Sequence, residues 1–276
     1  MRIAVLSGKG GTGKTTVAAC LSASADRCQY VDCDVEEPNG AIFLKPQLAY
    51  RKPVYVMIPE VVSGNCTGCG TCVKACRFHA MACINKKILI FPELCHHCGA
   101  CGIACRNDAI VETQREVGVI ESDQENLFLQ GTLHTGEPVT VPVIHALKDR
   151  IRTDIPVILD CAPGASCTVV QTIDGCDYCI LVTEPTPFGL YDLNIAYQLT
   201  RKMHIPSGVV LNKAMEYDPG IKDYCDSNHL QLLMEIPYSR QIAEEYSRGV
   251  LPVETDIRWK DRFSELFGKI SGGGAK

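Results

Sequence analysis

Two groups of residues have the types and the spacing for chemistry. Gly8-Lys9-Gly10-Gly11-Thr12-Gly13-Lys14-Thr15 fits G-x-x-x-x-G-K-[ST], with an apolar run at 3–6 before it and a helical pattern at 15–25 after it. Glycines let consecutive backbone N–H groups turn inward around an anion, and the N-terminus of the following helix adds partial positive charge. In such a loop Lys14 is expected on the β- and γ-phosphates of a nucleotide and the Thr15 hydroxyl on Mg²⁺. The second group is cysteine. Cys66, Cys69, Cys72 and Cys76 recur 29 residues later as Cys95, Cys98, Cys101 and Cys105, and Gly70/Gly99, Ala75/Ala104 and Arg77/Arg106 keep the same offset. Each unit reads C-x₂-C-x₂-C-x₃-C, a spacing in which three thiolates wrap one cubane and the fourth reaches the neighbouring one. The expected ligand sets are Cys66, Cys69 and Cys72 with Cys105, and Cys95, Cys98 and Cys101 with Cys76, holding two [4Fe–4S] clusters. Zinc is the alternative, because four-cysteine sites hold it too. Zinc sites, however, pair two C-x₂₋₄-C units without a third cysteine at the next step.

Carboxylates close several apolar runs. Asp32 and Asp34 follow Tyr30-Val31, and Asp160 follows Val157-Ile158-Leu159. An aspartate in that setting is costly to bury unpaired, and ligand-handling residues of open α/β sheets gather at the carboxyl ends of strands. Magnesium or a positioned water accounts for them; Asp32 serves equally well as a strand-end cap. Asn212 ends the run at 209–211. Of the nine cysteines outside the repeat, most are expected to be small buried hydrophobes. That includes Cys179 of Cys176-x₂-Cys179, which opens a strand-like run.

The elements that must position these residues follow from pattern and composition. The 276 residues are 46% hydrophobic and 21% charged, enough to bury a sizeable core and inconsistent with wholesale disorder. A net charge of −5 gives no global electrostatic case for nucleic acid. The run after Met1 is too short for an export signal, and no apolar run approaches the roughly 18 residues of a membrane span. Seventeen cysteines in such a chain suggest a cytoplasmic protein whose thiols hold metal rather than each other. Strand-like runs at 3–6, 30–31, 157–159, 179–182 and 208–211 alternate with helical patterns at 15–25, 190–203 and 240–248. This alternation predicts an α/β fold: a doubly wound, mainly parallel sheet covered on both faces. The cysteine repeat interrupts it as an inserted α+β module at 55–118. The main domain then comprises 1–54 and 119–270, with strands and turns across 119–141 and a flexible tail at 271–276.

Lys9-Gly10-Gly11-Thr12-Gly13-Lys14-Thr15-Thr16 resembles the deviant Walker A loop of the MinD, ParA, Mrp and nitrogenase iron protein class of P-loop ATPases. Outside the insert the resemblance continues through Asp32-Cys33-Asp34, Asp160-Cys161-Ala162-Pro163-Gly164, Thr183-Glu184-Pro185-Thr186 and Asn212-Lys213. It implies ATP and Mg²⁺ as cofactors, with the phosphates held by Gly8, Gly10, Gly11, Thr12, Gly13, Lys14, Thr15 and Thr16. It further implies that Lys9 crosses an ATP-sandwiched dimer to the partner's nucleotide, that Asp34 orients the attacking water, that Asp160 closes the Mg²⁺ shell and that Asn212 bonds adenine. The dimer would be homotypic or made with a paralogue. The insert is similar to a bacterial two-cluster ferredoxin, except that Arg77 and Arg106 replace the proline after the fourth cysteine, which alters the local turn and hence the potentials. Cys167 follows Asp160 by seven residues, a region comparable to the one in which the nitrogenase iron protein uses a cysteine to bridge its dimer with a cluster, but no second cysteine for such a bridge is identifiable. The expected function is slow ATP hydrolysis, with nucleotide-gated closure coupled to electron delivery to, or metal-cofactor assembly on, a redox or metal-cofactor protein partner. The alternative is a MinD-like spatial organiser that binds a surface in an ATP-dependent way. The terminal stripe Phe263, Leu266, Phe267 and Ile270 is expected to dock on its own domain rather than on a membrane, since 257–270 carries a net charge of only +2.

Overall fold

The computed structural model describes residues 1–215 and 220–272. The chain opens with β1 (Arg2–Leu6), α1 (Lys14–Ser24), β2 (Gln29–Cys33), α2 (Gly40–Leu44) and β3 (Leu48–Val61). The cysteine-bearing segment contributes α3 (Thr71–Ala75), β4 (Met81–Ile84), β5 (Lys87–Ile90) and α4 (Ala100–Ala104). The chain returns through β6 (Ile110–Asp123), β7 (Phe128–Leu133), α5 (Val141–Lys148), β8 (Val157–Cys161) and α6 (Cys167–Ile173). It ends with β9 (Tyr178–Thr183), α7 (Pro187–Lys202), β10 (Ser207–Ala214), α8 (Ile221–Ser227), β11 (Gln231–Pro237), α9 (Arg240–Ser247), α10 (Pro252–Thr255) and α11 (Ile257–Gly272). Ser271 and Gly272 thus close α11, and the rest of the expected tail, 273–276, lies outside the described residues.

Nine strands form one sheet in the order β11-β10-β9-β1-β8-β2-β7-β6-β3. Neighbours are parallel from β11 to β7; β6 and β3 join antiparallel at one edge. The parallel strands are apolar along their length because both faces are covered. In β1, Ile3 and Val5 point into a core shared with α1 and α11, while Ala4 and Leu6 point into one shared with α6 and α7. The doubly wound expectation therefore holds. Phe263, Leu266 and Ile270 of α11 are buried with Val17, Ala18 and Leu21 of α1, each side chain stabilising the docked helix by roughly 2 kcal/mol. Among the described residues no helix is long and apolar enough to cross a membrane.

The antiparallel edge was not legible as sheet. β3 and β6 pair from Leu48↔Asp123 to Val61↔Ile110 as a long ribbon, so the change of grammar expected at 55 and 118 falls inside two strands. Val54, Val56, Val117 and Ile120 of the ribbon are buried over Val143, Ile144 and Leu147 of α5. The stretch Tyr50-Arg51-Lys52-Pro53 lies on an edge strand, where proline and charge are tolerated. Beyond Val61 the sequence repeat becomes a structural one. Left-handed glycines precede both short helices, Gly70 (φ 72) before α3 and Gly99 (φ 70) before α4. Positive φ recurs 29 residues apart at Gly68/His97 and His79/Asp108. Phe91 N donates to Ala80 O at 2.8 Å, and Val62 N donates to Ala109 O at 2.9 Å, the same bond at the same offset.

Candidate nucleotide site and thiol cavities

The loop between β1 and α1 runs along the carboxyl edge of the sheet, where β1 has β8 on one side and β9 on the other. Two glycines are required by contact. A Cβ on Gly8 would lie 2.4 Å from Asp192 Cβ on α7, and one on Gly13 would lie 2.1 Å from Asn212 Nδ2, with Gly13 also at φ 89. Asn212 Nδ2 donates to Thr12 O at 2.7 Å, and Lys213 Nζ donates to Gly11 O at 2.8 Å. The end of β10 therefore fixes the loop backbone from outside. Thr12 Oγ1 is buried with no hydrogen-bond partner among the described residues, a polar atom facing a site built for a polar guest.

Lys14 Nζ donates to Asp160 Oδ1 at 2.7 Å and lies 3.9 Å from Asp34 Oδ2. The other oxygen of Asp160 accepts from the Tyr30 hydroxyl at 2.9 Å. Burial pushes the Lys14 ammonium down, but the Asp160 carboxylate beside it prevails and holds it above its ordinary value. Asp32 accepts backbone N–H bonds from Asp34 (3.1 Å), Asn39 (3.0 Å) and Gly40 (2.8 Å), so it caps the loop that carries Asp34. Burial, aided by the nearby Asp160 charge, raises the Asp32 carboxyl to about 7. Burial also raises Asp34 to about 6, against the pull of Lys14.

Lys9, Gly10, Gly11, Thr12, Gly13, Lys14, Thr15, Thr16, Asp34 and Asn212 line one cavity of about 420 Å³. Asp160 enters through Lys14 rather than through the wall. The same cavity has apolar lining from Ile242 and Tyr246 of α9 and Trp259 and Phe263 of α11; a phosphate cradle together with apolar walls suits a nucleotide. Sequence reasoning missed all four as cavity residues, because the stripe on α11 pointed only to docking and 240–248 only to a helix. It also missed Glu184, whose carboxylate accepts from Lys9 Nζ at 2.5 Å and from Lys213 Nζ at 3.1 Å. A carboxylate just past an apolar strand is the signal that had pointed to Asp160.

The repeated cysteines surround two further cavities. Cys66, Cys69, Cys72 and Cys105 line one, with Ile88 and Ile110; Cys76, Cys95, Cys98 and Cys101 line the other, with Met57, Pro59 and Phe78. Three thiols of each come from one repeat and the fourth from the other. Both exchanged cysteines accept a backbone hydrogen bond at sulfur, from Ala80 N to Cys76 Sγ and from Ala109 N to Cys105 Sγ, at 3.3 Å each. Among the described residues no three Cys, His, Asp or Glu side chains are drawn together tightly enough to hold one metal ion. Arg77 and Arg106 are exposed. Cys179 is fully buried, as its strand position implied. Cys167 is exposed at the start of α6 and lines none of the three cavities.

The model of the family described as the CobQ/CobB/MinD/ParA nucleotide binding domain (CbiA) matches residues 3–253. An uncharacterized protein of Methanocaldococcus jannaschii is 31% identical over 269 residues, covering 95% of this chain and 93% of its own. An uncharacterized ATP-binding protein of that organism is 25% identical over 287 residues, covering 98% and 97%. Among solved structures, the cell division ATPase MinD of Pyrococcus furiosus aligns with a TM-score of 0.55 at 22% identity over 98% of both chains. MinD of Pyrococcus horikoshii, complexed with Mg-ADP, aligns with a TM-score of 0.57 at 19% identity over 100% of this chain and 98% of its own. At those identities the two MinD structures speak to the fold, an α/β P-loop architecture.

Proposed function

The chain belongs to the CobQ/CobB/MinD/ParA nucleotide-binding family, and from that premise we propose that it is a slow, cytoplasmic ATPase that couples nucleotide-gated dimerisation to two [4Fe–4S] clusters. ATP with Mg²⁺ occupies the cavity above α1. Lys14 binds the β- and γ-phosphates, Thr15 ligates the metal, Asp160 supports its shell, Asp34 orients the attacking water and Asn212 stands beside the base. Lys9 reaches the nucleotide of a partner, a second copy or a paralogue.

The observation that carries the cluster assignment is the exchange of one cysteine between the two thiol cavities. It supports the three-plus-one ligand sets that the ferredoxin spacing implies. The donor chemistry fits: four soft thiolates per cavity, apolar walls, and backbone N–H groups already aimed at sulfur. A single zinc fits less well. Zinc sites pair two C-x₂₋₄-C units, and each unit here carries a third cysteine at the next C-x₂ step. Bound clusters supply one-electron transfer; the chain's own residues hold them and set their surroundings. The output is electron delivery to, or metal-cofactor assembly on, a redox or metal-cofactor protein partner.

Anaerobic reconstitution tests this. The expected result is about eight iron and eight sulfide per chain, with Cys66→Ser depleting one cluster preferentially and Cys179→Ser leaving iron unchanged. Stoichiometric zinc without sulfide overturns the cluster assignment. Cluster potentials are then measured with and without a non-hydrolysable ATP analogue. A shift of about 60 mV, tenfold for a one-electron couple, supports redox gating. Identical potentials with the dimer shown to form transfer the assignment to cofactor assembly.

A further inference from the structure

Lys9 does not project freely from its loop. Glu184 follows β9, the strand beside β1, so its carboxylate stands against the loop that β1 feeds. Its two oxygens are divided between two cations, Lys9 on Oε1 and Lys213 on Oε2. Lys213 also donates to Gly11 O, which ties the carboxylate to the loop backbone. The Glu184 main chain is equally fixed. Its carbonyl accepts from Thr186 N at 2.7 Å, and Gly189 approaches it so closely that a Cβ there would lie 2.2 Å away. The Glu184 side chain is 14% exposed and that of Lys9 35%. This is a half-buried, doubly paired carboxylate rather than a solvated surface contact. Burial favours protonation of Glu184, but hydrogen bonds from Lys9 and Lys213 outweigh it and hold the carboxyl below its usual range, so it is ionised at neutral pH. The Lys9 backbone is held, with its carbonyl accepting from Ser7 Oγ at 2.8 Å and Gly8 packed against Asp192, so the lysine is redirected by its own side-chain torsions.

We propose that Glu184 is a positioning residue for Lys9, a carboxylate that retains the lysine in its own chain until a nucleotide-loaded partner draws it across. The proposal rests on the reading in which Lys9 crosses a dimer. On closure Lys9 exchanges a carboxylate for a partner's phosphate, and a two-fold dimer makes that exchange twice. Glu184 therefore sets how much nucleotide-bound protein is needed before closure, without touching the nucleotide itself. Losing a half-buried ion pair of this kind changes an equilibrium by about fivefold. Two such pairs per dimer make the expected effect on the dimer dissociation constant about 25-fold.

The test is sedimentation of the full-length, anaerobically purified protein with a non-hydrolysable ATP analogue and Mg²⁺. Glu184→Gln preserves side-chain volume and removes the charge; the expected result is a dimer about 25-fold tighter than wild type. Glu184→Asp keeps the charge and should return the constant toward wild type. Lys9→Ala should abolish the dimer, and Glu184→Gln combined with Lys9→Ala should be no better, because the effect travels through the lysine. A purely structural role for Glu184 would weaken the dimer when disturbed, so the sign discriminates. An unchanged or weaker dimer in Glu184→Gln, with Lys9→Ala still abolishing it, overturns the retaining role and leaves the crossing of Lys9 intact. A wild-type dimer in Lys9→Ala overturns the crossing itself, and the retaining role with it.

Discussion

Lys14 is held on both sides by charges it did not choose in sequence: Asp160 lies 146 residues away and Asp34 twenty. It neutralises a carboxylate that is fully buried, so it serves folding as well as binding. Lys14→Ala is therefore expected to lose tight nucleotide binding and, in addition, about 3 kcal/mol of stability, because Asp160 is left buried without its cation. Calorimetric titration and urea unfolding read the two separately. Asp34 carries a pH signature. Its carboxyl titrates near 6 in the folded chain against about 4 in an unfolded one. The folded state then holds the proton more tightly, and stability falls as pH rises from about 4 through 6. Asp34→Asn removes that dependence. Its unfolding midpoint relative to wild type should be higher at pH 7.5 than at pH 5, and equal differences at the two values would refute the assignment. Lys14, Asp34 and Asp160 were legible because a motif and two strand-end aspartates point at the same edge of a sheet. Glu184 and Lys213 fall in segments that carry the family resemblance, but their pairing with Lys9 was not legible. Nothing local says that β9 lies against β1, and only that adjacency brings a carboxylate from residue 184 to a lysine at residue 9.

Two kinds of element sit at opposite ends of legibility. The parallel strands announce themselves as short apolar runs because both of their faces are covered, and β1, β8, β9 and β10 fall where those runs are. The ribbon does not, since β3 is exposed from Leu48 to Lys52, contains Pro53 and Pro59, and buries only Val54, Val56 and Pro59. Helix α11 was read correctly as docked and incompletely as to purpose. Its buried stripe rests on α1, the helix that begins the phosphate cradle, and its first turn contributes Trp259 to the apolar lining of the same cavity. Trp259 is the chain's one tryptophan, so intrinsic fluorescence reports this wall without background. ADP should shift or quench the emission in the nucleotide-competent chain, and leave it unaltered in Lys14→Ala. If the proposed clusters are reconstituted, their reduction should leave the same emission unaffected, since α11 packs on α1 and the cysteine segment departs beyond β6 and β3.

At the scale of the molecule, the arrangement separates two tasks along one sheet. Nucleotide residues gather around β1 near the middle, and thiols hang from the edge beyond β6 and β3. The repeat of cysteine spacing was visible at once because it is local, and the offset that defines it survives in the backbone as matched turns and matched hydrogen bonds. The ribbon that joins the two parts also fixes an order. The cavity of Cys76, Cys95, Cys98 and Cys101 leans on ribbon residues Met57, Pro59 and Glu112, whereas the other touches the ribbon only at Ile110.

Val61 and Ile110, where the segment departs and returns, face each other as a register pair at the end of an antiparallel ladder that is regular from Tyr55↔Glu116 onward. To the sheet, everything between them is the turn of a hairpin. Replacing 62–109 by Asn-Gly, the residues a two-residue hairpin turn favours, should give a shortened chain that still unfolds cooperatively and still binds ADP, while taking up no iron on reconstitution. Loss of folding on that replacement would mean that the thiol segment is woven into the domain. Retention would mean something about ancestry: a loop tip is the place where a foreign sequence can enter a finished protein without disturbing a single strand pairing, and this chain carries its cysteine repeat at such a tip.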